Sequence, residues 1–429
     1  MTYDLKDRIH SLITGPSLSS NIDLLKVQIE DFLSSGGDFE KLYYINHIGR
    51  ELNKRLTLAD LGSLIEGDHD SSLRPLVSVN PLPPPTLSLH FSEPTATLTV
   101  STIQGTGNTF LFERSTTSTF NSGTVTNLQN TQSLTTSDTL SSGGIYYYRV
   151  KEISQYGESE WSLSQSLDIS DFDPGLISTE LWLDSADSST IITGTNSSQT
   201  WGVVQWDDKS GNTNNVTAQG IGAPMELFFL QNNLNVINLD GPTYFEHLNF
   251  TLPTSGNLQI FIICEVSSID NLRDSILSTN ASDKDFQIEA GHDSEMRGNI
   301  FAHGLTTSNP SVASSTGAGS SEVTGMHIWN ATFDFDSGEY ILRLDGEQVT
   351  GTSTGTYLRK LTLTQDLKIF GNRADTRFPE GNVAEVIISE DISDSKREKL
   401  EGYLAHKWGL SSSLNSSHPY KTFAPLEIN

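Results

Sequence analysis

The chain has 429 residues, of which 35% are hydrophobic, and its 26 Lys and Arg against 53 Asp and Glu give a formal net charge of −27. This length predicts two or three domains, because a single hydrophobic core rarely grows so large. The negative charge repels phosphate backbones and anionic lipid headgroups, so nucleic-acid binding is excluded as an expected function.

The sequence predicts a protein without membrane insertion. No stretch approaches the roughly 18 consecutive apolar residues of a transmembrane helix, and the most apolar run, residues 258–266, has the length of a buried strand. No basic segment followed by an apolar run opens the chain, so no secretory signal peptide is predicted. The single cysteine, Cys264, lies in that apolar run and is predicted to be a core thiol.

Residues 1–80 are predicted to form a short helical segment. Apolar residues with helical spacing indicate three helices, within residues 22–32, 39–52 and 58–65. Three short amphipathic helices make a thin core on their own. We therefore expect this segment to self-associate or to attach to a larger particle.

A proline-rich stretch marks the predicted end of the helical segment. Prolines occupy positions 81, 83, 84 and 85, and such a run favours an extended path that separates modules. Residues 81–170 then contain short alternating segments, including ATLTVST, TFLFERS and IYYYRVKEIS, separated by Gly, Asn and Ser. This pattern predicts a small antiparallel β-sandwich.

The end of that sandwich carries a recognisable motif. Residues 144–162, GIYYYRVKEISQYGESEWS, resemble the penultimate strand, turn and last strand of a fibronectin type III domain. Tyr146, Tyr148 and Val150 would alternate on one face, and Gly157 and Trp161 would mark the following turn and strand. The resemblance implies a spacer between functional domains.

Residues 171–429 carry several motifs in a fixed order. They are LWLDSADSSTI (181–191), VVQWDDKSGN (203–212), NVINLDG (235–241), AEVIISEDISDSKREKLEGYLAHKWGL (384–410) and HPYK (418–421). Together they resemble the concanavalin A-like, laminin G-like lectin domains of phage tail-fibre, virion structural and bacterial surface proteins. The resemblance implies a large jelly-roll β-sandwich.

One helix is predicted near the C-terminus of this domain. Ser393 can cap its N-terminus, and Gly409 can end it. One face carries four large side chains, namely Leu400, Tyr403, Leu404 and Trp408. We expect this face to pack on the sandwich.

No catalytic constellation is predicted. The string that comes nearest to a glucanase motif, Asp334-Phe-Asp336-Ser-Gly-Glu339, departs from Glu-x-Asp-x-x-Glu at its first position, and Asp336-Ser-Gly338 is typical of a hairpin turn. The sequence lacks G-x-S-x-G and H-E-x-x-H motifs. The protein is therefore predicted not to be an enzyme.

Four aspartates form the candidate metal site. Asp184, Asp187, Asp207 and Asp208 lie in the two N-terminal motifs of the lectin-like domain. Carboxylate oxygens are ligands that Ca²⁺ prefers, so Ca²⁺ is the candidate cofactor. The alternative is that these aspartates form turns and caps, and DSADSS and DDKSGN suit that role equally well.

Aromatic residues are the candidate carbohydrate-binding groups, because a sugar ring stacks its apolar face on an exposed aromatic ring. Trp182 and Trp206 lie in strand-like segments and are predicted to be core residues. Trp201, Tyr244 and Phe245 lie in loop-like segments and are the predicted exposed platform.

These features predict a mainly β, multidomain protein that serves as a bacteriophage virion structural protein, a tail fibre or adhesin on the particle surface. The N-terminal helices would contact other virion proteins and form a homotrimer, and the lectin-like domain would bind host-surface polysaccharide. Many copies on one particle would strengthen weak individual sites. The alternatives are a capsid decoration or head-fibre protein, a secreted bacterial carbohydrate-binding surface protein, or a glycan hydrolase.

Overall fold

The computed structural model describes residues 82–429, except for residues 103–107, 155–156, 196–201, 221–225, 252–254, 269–273, 281–285, 290–298, 303–310, 316–323, 335, 337–339, 350, 354–363 and 372–377. The predicted helices of residues 1–80 lie outside the described residues. Among the helices that the described residues form, none has the length and hydropathy needed to cross a membrane.

The described residues form strands β1 to β27 and one α-helix. Strands β1 to β8 are Thr86–Ser92, Thr95–Ser101, Thr109–Ser115, Val125–Thr131, Thr135–Thr139, Gly144–Ser154, Gly157–Glu158 and Gln165–Asp171. Strands β9 to β18 are Thr179–Asp184, Ile191–Gly194, Gly202–Trp206, Val216–Gly220, Glu226–Gln231, Leu234–Leu239, Thr243–Thr251, Asn257–Ser268, Ser275–Asn280 and Phe286–Glu289. Strands β19 to β27 are Asn299–Ala302, Ser311–Ser315, His327–Asp334, Tyr340–Leu344, Glu347–Gln348, Gly351–Ser353, Thr364–Ile369, Glu380–Glu390 and Leu426–Ile428, and helix α1 is Asp394–Lys407.

The described chain divides into two compact units. The first contains the described residues up to Leu89, together with Leu98–Thr136 and Tyr147–Gln165. The second contains His90–Thr97, Ser137–Tyr146 and Ser166–Asn429. The domain boundaries expected after residues 80 and 170 stay predictions.

The first eight strands, together with β27 at the C-terminus, form two sheets. One has the order β1-β2-β5, and the other has the order β27-β8-β6-β3-β4, with β7 paired to β6. In β6, Tyr146, Tyr148 and Val150 are buried while their neighbours are more exposed, which confirms the predicted alternation. Trp161 lies between β7 and β8, and its ring packs 3.9 Å from the guanidinium of Arg149.

The second unit contains a large β-sandwich. Its ten-stranded sheet has the order β10-β11-β12-β15-β25-β17-β18-β19-β20-β24. Its eight-stranded sheet has the order β13-β14-β26-β16-β21-β22-β23, and β9 also pairs with β26. The core between the sheets takes alternate residues of each, for example Trp206 and Phe245 from one and Leu258 and Ile260 from the other. Cys264 is fully buried in this core, as predicted.

Helix α1 packs on the outer face of the eight-stranded sheet. Ser393 caps its N-terminus by accepting a hydrogen bond from the Lys396 amide, and Gly409 follows its C-terminus with a φ of +71°. The four predicted contact residues all pack into one apolar cluster with this sheet, namely Leu400, Tyr403, Leu404 and Trp408. The caps and the packing face of the helix are thus confirmed. The protein is mainly β, a multidomain β-sandwich protein with a C-terminal helix.

Candidate functional site

The outer face of the eight-stranded sheet changes from apolar to polar along strand β16. Phe261 and Ile263 belong to the cluster that α1 covers, whereas Gln259, two residues earlier on the same face, belongs to neither apolar cluster. Side chains alternate between the two faces of a strand, so residues at every second position share this surface. The polar part therefore shares this face with the apolar cluster that α1 covers.

Four side chains on three adjacent strands form one hydrogen-bond network there. Gln259 Oε1 accepts from Thr332 Oγ1 at 2.9 Å and from Asn330 Nδ2 at 3.2 Å. Arg343 Nη1 donates to Thr332 Oγ1 at 2.9 Å and to Asn330 Oδ1 at 3.2 Å. The strand register explains the network, because Gln259 lies opposite Thr332, and Asn330 lies opposite Arg343. Mutual bonds of this kind hold each side chain in one orientation.

The network forms part of the wall of an open cleft with a volume of about 310 Å³. The remaining walls come from the ends of β16 and β21, from β22 and from the start of α1. The lining residues are Asn257, Gln259, Thr332, Asp334, Ile341, Arg343, Ile392, Ser393 and Asp394. Amide, guanidinium, hydroxyl and carboxylate groups thus surround a small apolar surface, which is the composition of a site for a polar organic ligand.

One buried side-chain atom of the cleft residues has no hydrogen-bond partner among the described residues. Oδ1 of Asn257 is buried and accepts no hydrogen bond from the described residues. Buried oxygen acceptors are nearly always bonded to protein, water or ligand, because an unmet acceptor costs free energy. Asn257 is therefore a cleft residue whose side-chain acceptor is not satisfied by the described residues.

The two carboxylates of the cleft are both engaged by the protein. Asp334 Oδ1 accepts from the Asp336 backbone amide at 2.8 Å. The Asp394 side chain is 83% exposed, and its Oδ1 lies 3.3 Å from Nε of Arg397. A general acid in a glycosidase needs a carboxyl whose pKa is raised by burial, and Asp394 lacks that burial.

The first two acidic residues of the string compared with a glucanase motif, Asp334 and Asp336, occupy different environments. Asp334 ends β21 and lines the cleft, whereas Asp336 is exposed and accepts from the Gly256 amide at 3.1 Å. Glu339 lies outside the described residues. The hairpin turn expected at Asp336-Ser-Gly338 stays a prediction, because residues 337–339 lie outside the described residues.

Arg343 carries the positive charge of the cleft. Burial lowers its pKa, and the neighbouring guanidinium of Arg397 lowers it further, despite the carboxylates near Arg397. The positive charge of Arg397, in contrast, is compensated, because Arg397 forms an ion pair with the buried carboxylate of Glu401 at 2.7 Å. The positive charge of Arg343 is therefore poorly compensated by the protein.

Two of the predicted metal ligands, Asp184 and Asp187, lie together but bind lysines. Asp184 contacts Lys209 Nζ at 2.9 Å and Lys407 Nζ at 2.7 Å. Asp187 contacts Lys209 at 3.1 Å and accepts two hydrogen bonds from Ser189, whose hydroxyl is the largest influence that lowers the pKa of Asp187 to about 2. These carboxylates are neutralised by cations of the protein itself.

The other two, Asp207 and Asp208, act in local turns. Asp208 accepts from the amides of Trp182, Ser210 and Asn214, each at 2.9 Å. Asp207 Oδ1 accepts from Gln205 Nε2 at 2.5 Å. Among the described residues, no group of three or more His, Cys, Asp or Glu side chains is arranged to hold a metal ion. The amide contacts of Asp208 and the Ser189 contacts of Asp187 fit the turn-and-cap alternative, and the calcium site stays a prediction.

The predicted aromatic platform is not exposed where the structure describes it. Tyr244 and Phe245 lie in β15 and are only 8% and 0% exposed. Phe245 packs between the sheets, and the Tyr244 ring stacks on Phe378 at 5.5 Å. The expectation that these two residues form an open platform is wrong, because both rings are covered by protein. Trp201 lies outside the described residues.

Sequence reasoning missed the cleft residues, although a signal was present. Gln259 interrupts the apolar run LQIFIICEV, Asn330 and Thr332 alternate with apolar residues in HIWNATF, and Arg343 does so in YILRL. Polar residues at the alternate positions that face away from the core, in strands that are otherwise apolar, indicate a polar patch on a sheet. Their convergence required the order of β16, β21 and β22, which the sequence does not reveal.

Comparison with known proteins gives structural similarity of limited extent. No family model and no curated protein matches the chain. Domain 4 of AbnA, a GH43 extracellular arabinanase from Geobacillus stearothermophilus, solved with arabinotriose, is similar at 10% identity and a TM-score of 0.37, over 50% of this chain and 92% of that chain. A carbohydrate esterase from the Shiga toxin-encoding bacteriophage phi24B matches at 13% identity and a TM-score of 0.32, over 50% of this chain and 100% of that chain. An Fn3-like protein from Clostridium thermocellum matches at 28% identity and a TM-score of 0.18, over 20% of this chain and 92% of that chain.

Proposed function

We propose that this protein is a non-enzymatic glycan-binding component of a bacteriophage particle, and that it binds saccharide in the cleft beside α1. The observation that carries the binding proposal is the lining of that cleft, where planar amide, guanidinium and carboxylate groups surround Ile341 and Ile392. A sugar presents hydroxyls that both donate and accept hydrogen bonds, together with C–H surfaces that pack on apolar groups.

The placement on a phage particle rests on the sequence resemblance of residues 171–429 to lectin-like domains of virion proteins. In this proposal the helices predicted for residues 1–80 attach to other virion proteins and form a homotrimer, and the fibronectin-like module sets the distance between the particle and the lectin-like domain. A capsid decoration protein would share this architecture.

The alternative of a glycan hydrolase is favoured by one observation, since Asp334 and Asp394 line the same cleft. The exposure of Asp394 and its contact with Arg397 oppose a role as the catalytic acid. We therefore place binding ahead of hydrolysis.

The test is binding of the full chain to intact candidate host cells and to their purified surface polysaccharide, with the supernatant assayed for released sugars. Asn257→Ala removes the free acceptor, and we expect roughly fivefold weaker binding, as for one lost hydrogen bond. Asn130→Ala, an exposed amide in β4, is the matched control and should bind as the unchanged chain does. Sugar release, or binding unaffected by Asn257→Ala, would contradict the proposal.

A further inference from the structure

The charge of Arg343 is unusual among the cations of this region. Its Nη1 donates to the neutral oxygens of Thr332 and Asn330, and no described carboxylate lies within ion-pairing distance of it. The cations of α1 are each paired with a carboxylate at 3.2 Å or less, namely Lys396, Arg397, Lys399 and Lys407. In a chain with twice as many acidic as basic residues, an unpaired guanidinium is a specific feature that requires a reason.

The position of Arg343 determines what can reach it. It lines the open cleft, and the described residues accept hydrogen bonds from one of its terminal nitrogens, Nη1. The network with Thr332 and Asn330 holds the guanidinium plane in place, so Nη2 and Nε remain as donors in a fixed geometry. Such a fork matches the two oxygens of a carboxylate.

We infer that the cleft is specific for an acidic saccharide, whose sugar carboxylate pairs with Arg343. This inference rests on the proposed function and adds the chemical class of the ligand. Asn257 then accepts from a hydroxyl of the same sugar, and Asp334 and Asp394 at the edge accept from neighbouring hydroxyls. Burial already lowers the pKa of Arg343, and a bound carboxylate relieves the cost of that burial.

The net charge of −27 does not exclude an anionic ligand at this cleft. Repulsion between exposed charges is largely screened beyond about 8 Å at physiological ionic strength. A direct contact between a carboxylate and a partly buried guanidinium is screened much less. The negative surface should slow the approach of a charged polymer more than it weakens the bound contact.

The test compares matched pairs of sugars on the full chain by calorimetry. One pair is tetragalacturonate and its carboxyl-reduced neutral counterpart, and the second pair is sialylated and desialylated lactose, so that the two sources of a sugar carboxylate are distinguished. We expect the acidic member of at least one pair to bind about tenfold or more tightly than its neutral partner, as for a charge-assisted hydrogen-bonded pair. Arg343→Gln should abolish that difference between the acidic and the neutral member of the pair.

Two further variants separate a contact with ligand from a general effect of charge or folding. Arg343→Lys keeps the charge but not the fork, so it should retain a smaller preference. Lys396→Gln removes the same charge from the first turn of α1, outside the cleft lining, and should retain the full preference. Unfolding curves for each variant identify loss of the fold.

The outcomes are distinct for the two proposals. Equal binding of acidic and neutral partners overturns this inference and leaves glycan binding in place. A preference that survives Arg343→Gln, or that Lys396→Gln also removes, overturns the assignment to Arg343. Absence of binding to these four sugars, combined with absence of binding to host polysaccharide, overturns both proposals.

Discussion

The carboxylate of Glu385 accepts a hydrogen bond from the indole N–H of Trp408 at 2.6 Å, and both residues are fully buried. The same carboxylate accepts from Trp182 Nε1 at 2.8 Å and contacts Lys407 Nζ at 2.8 Å. Strand β26, strand β9 and the end of α1 therefore meet at one buried charge. Burial raises the pKa of Glu385, against the opposing influence of Lys407.

The first prediction concerns this buried carboxylate. Glu385→Gln removes the ion pair to Lys407, which keeps its contact with Asp184, and turns one of the two oxygens that accept from Trp182 and Trp408 into an amide donor. It should lower the free energy of unfolding by roughly 1–3 kcal/mol, because a buried indole N–H loses its acceptor. Trp408→Phe leaves Glu385 short of one donor and should cost roughly 1–3 kcal/mol. Chemical denaturation measures both, and the exposed Glu347→Gln is the control, expected to be neutral. Equal stability of Glu385→Gln and the control would contradict this reasoning.

The second prediction concerns pH. Burial acts to lower the pKa of His327, but its hydrogen bond to Asp345 at 2.7 Å and the charge of Asp345 outweigh burial, and the pKa is raised. Nε2 can also donate to the Thr324 carbonyl at 3.0 Å, so both ring nitrogens have acceptors, as the charged imidazole requires. A raised pKa gives stability that is complete below the unfolded value of about 6.5 and is lost as pH rises through the folded value.

His327→Gln should therefore destabilise the protein more at about pH 5.5 than at about pH 9. Denaturant unfolding at the two pH values measures the difference, and His90→Gln, at an exposed position in β1, controls for the titration of an exposed histidine. A larger loss at the higher pH would show that the sign is wrong.

The third prediction concerns calcium. Because Asp184 and Asp187 are paired with Lys209 and Lys407, removal or addition of Ca²⁺ should leave the melting temperature unchanged. Lys209→Gln should instead lower the free energy of unfolding by roughly 1–3 kcal/mol, since Asp187 loses its lysine partner and Asp184 keeps Lys407 alone. Thermal unfolding with calcium and with a chelator tests the first expectation. A calcium-dependent rise in the melting temperature would restore the metal interpretation.

The fourth prediction concerns the single cysteine. Burial raises the pKa of Cys264 well above its usual value, and the thiolate is the reactive form. A thiol-specific reagent should therefore leave the native protein unlabelled and label one site in denaturant. Rapid labelling of the native protein would mean that the core around β16 opens locally.

The sequence predicted the parts of this structure that depend on local chemistry. The buried face of β6 follows from strict alternation, and the ends of α1 follow from Ser393 and Gly409, whose effects act within a few residues. The aspartates of DSADSS were ambiguous for a different reason. Their turn geometry is local, but the lysine that completes the neutralisation of Asp184 lies on α1, far along the chain.

The prediction of an exposed aromatic platform was wrong because strand pairing between distant parts of the sequence outweighed a local turn signal. Gly241 and Pro242 favour a loop before Tyr244 and Phe245, and the chain does turn there, with Gly241 at a φ of +74°. However, β15 begins directly at Thr243 and pairs with β12 and β25 on its two sides. As a result Phe245 points into the core between the sheets, and the Tyr244 ring on the other face is covered by Phe378, so neither ring stays open.

The first turn of α1 borders the cleft, while its later turns lie on the apolar cluster of the same sheet. An occupant of the cleft would contact both the centre of the sheet and the start of α1, and it would bind the folded state alone. By linkage, the free energy of unfolding rises with ligand concentration. Melting temperature can therefore serve as a label-free readout for sorting a library of saccharides, with Asn257→Ala and Arg343→Gln reporting whether a stabilising sugar acts at this cleft.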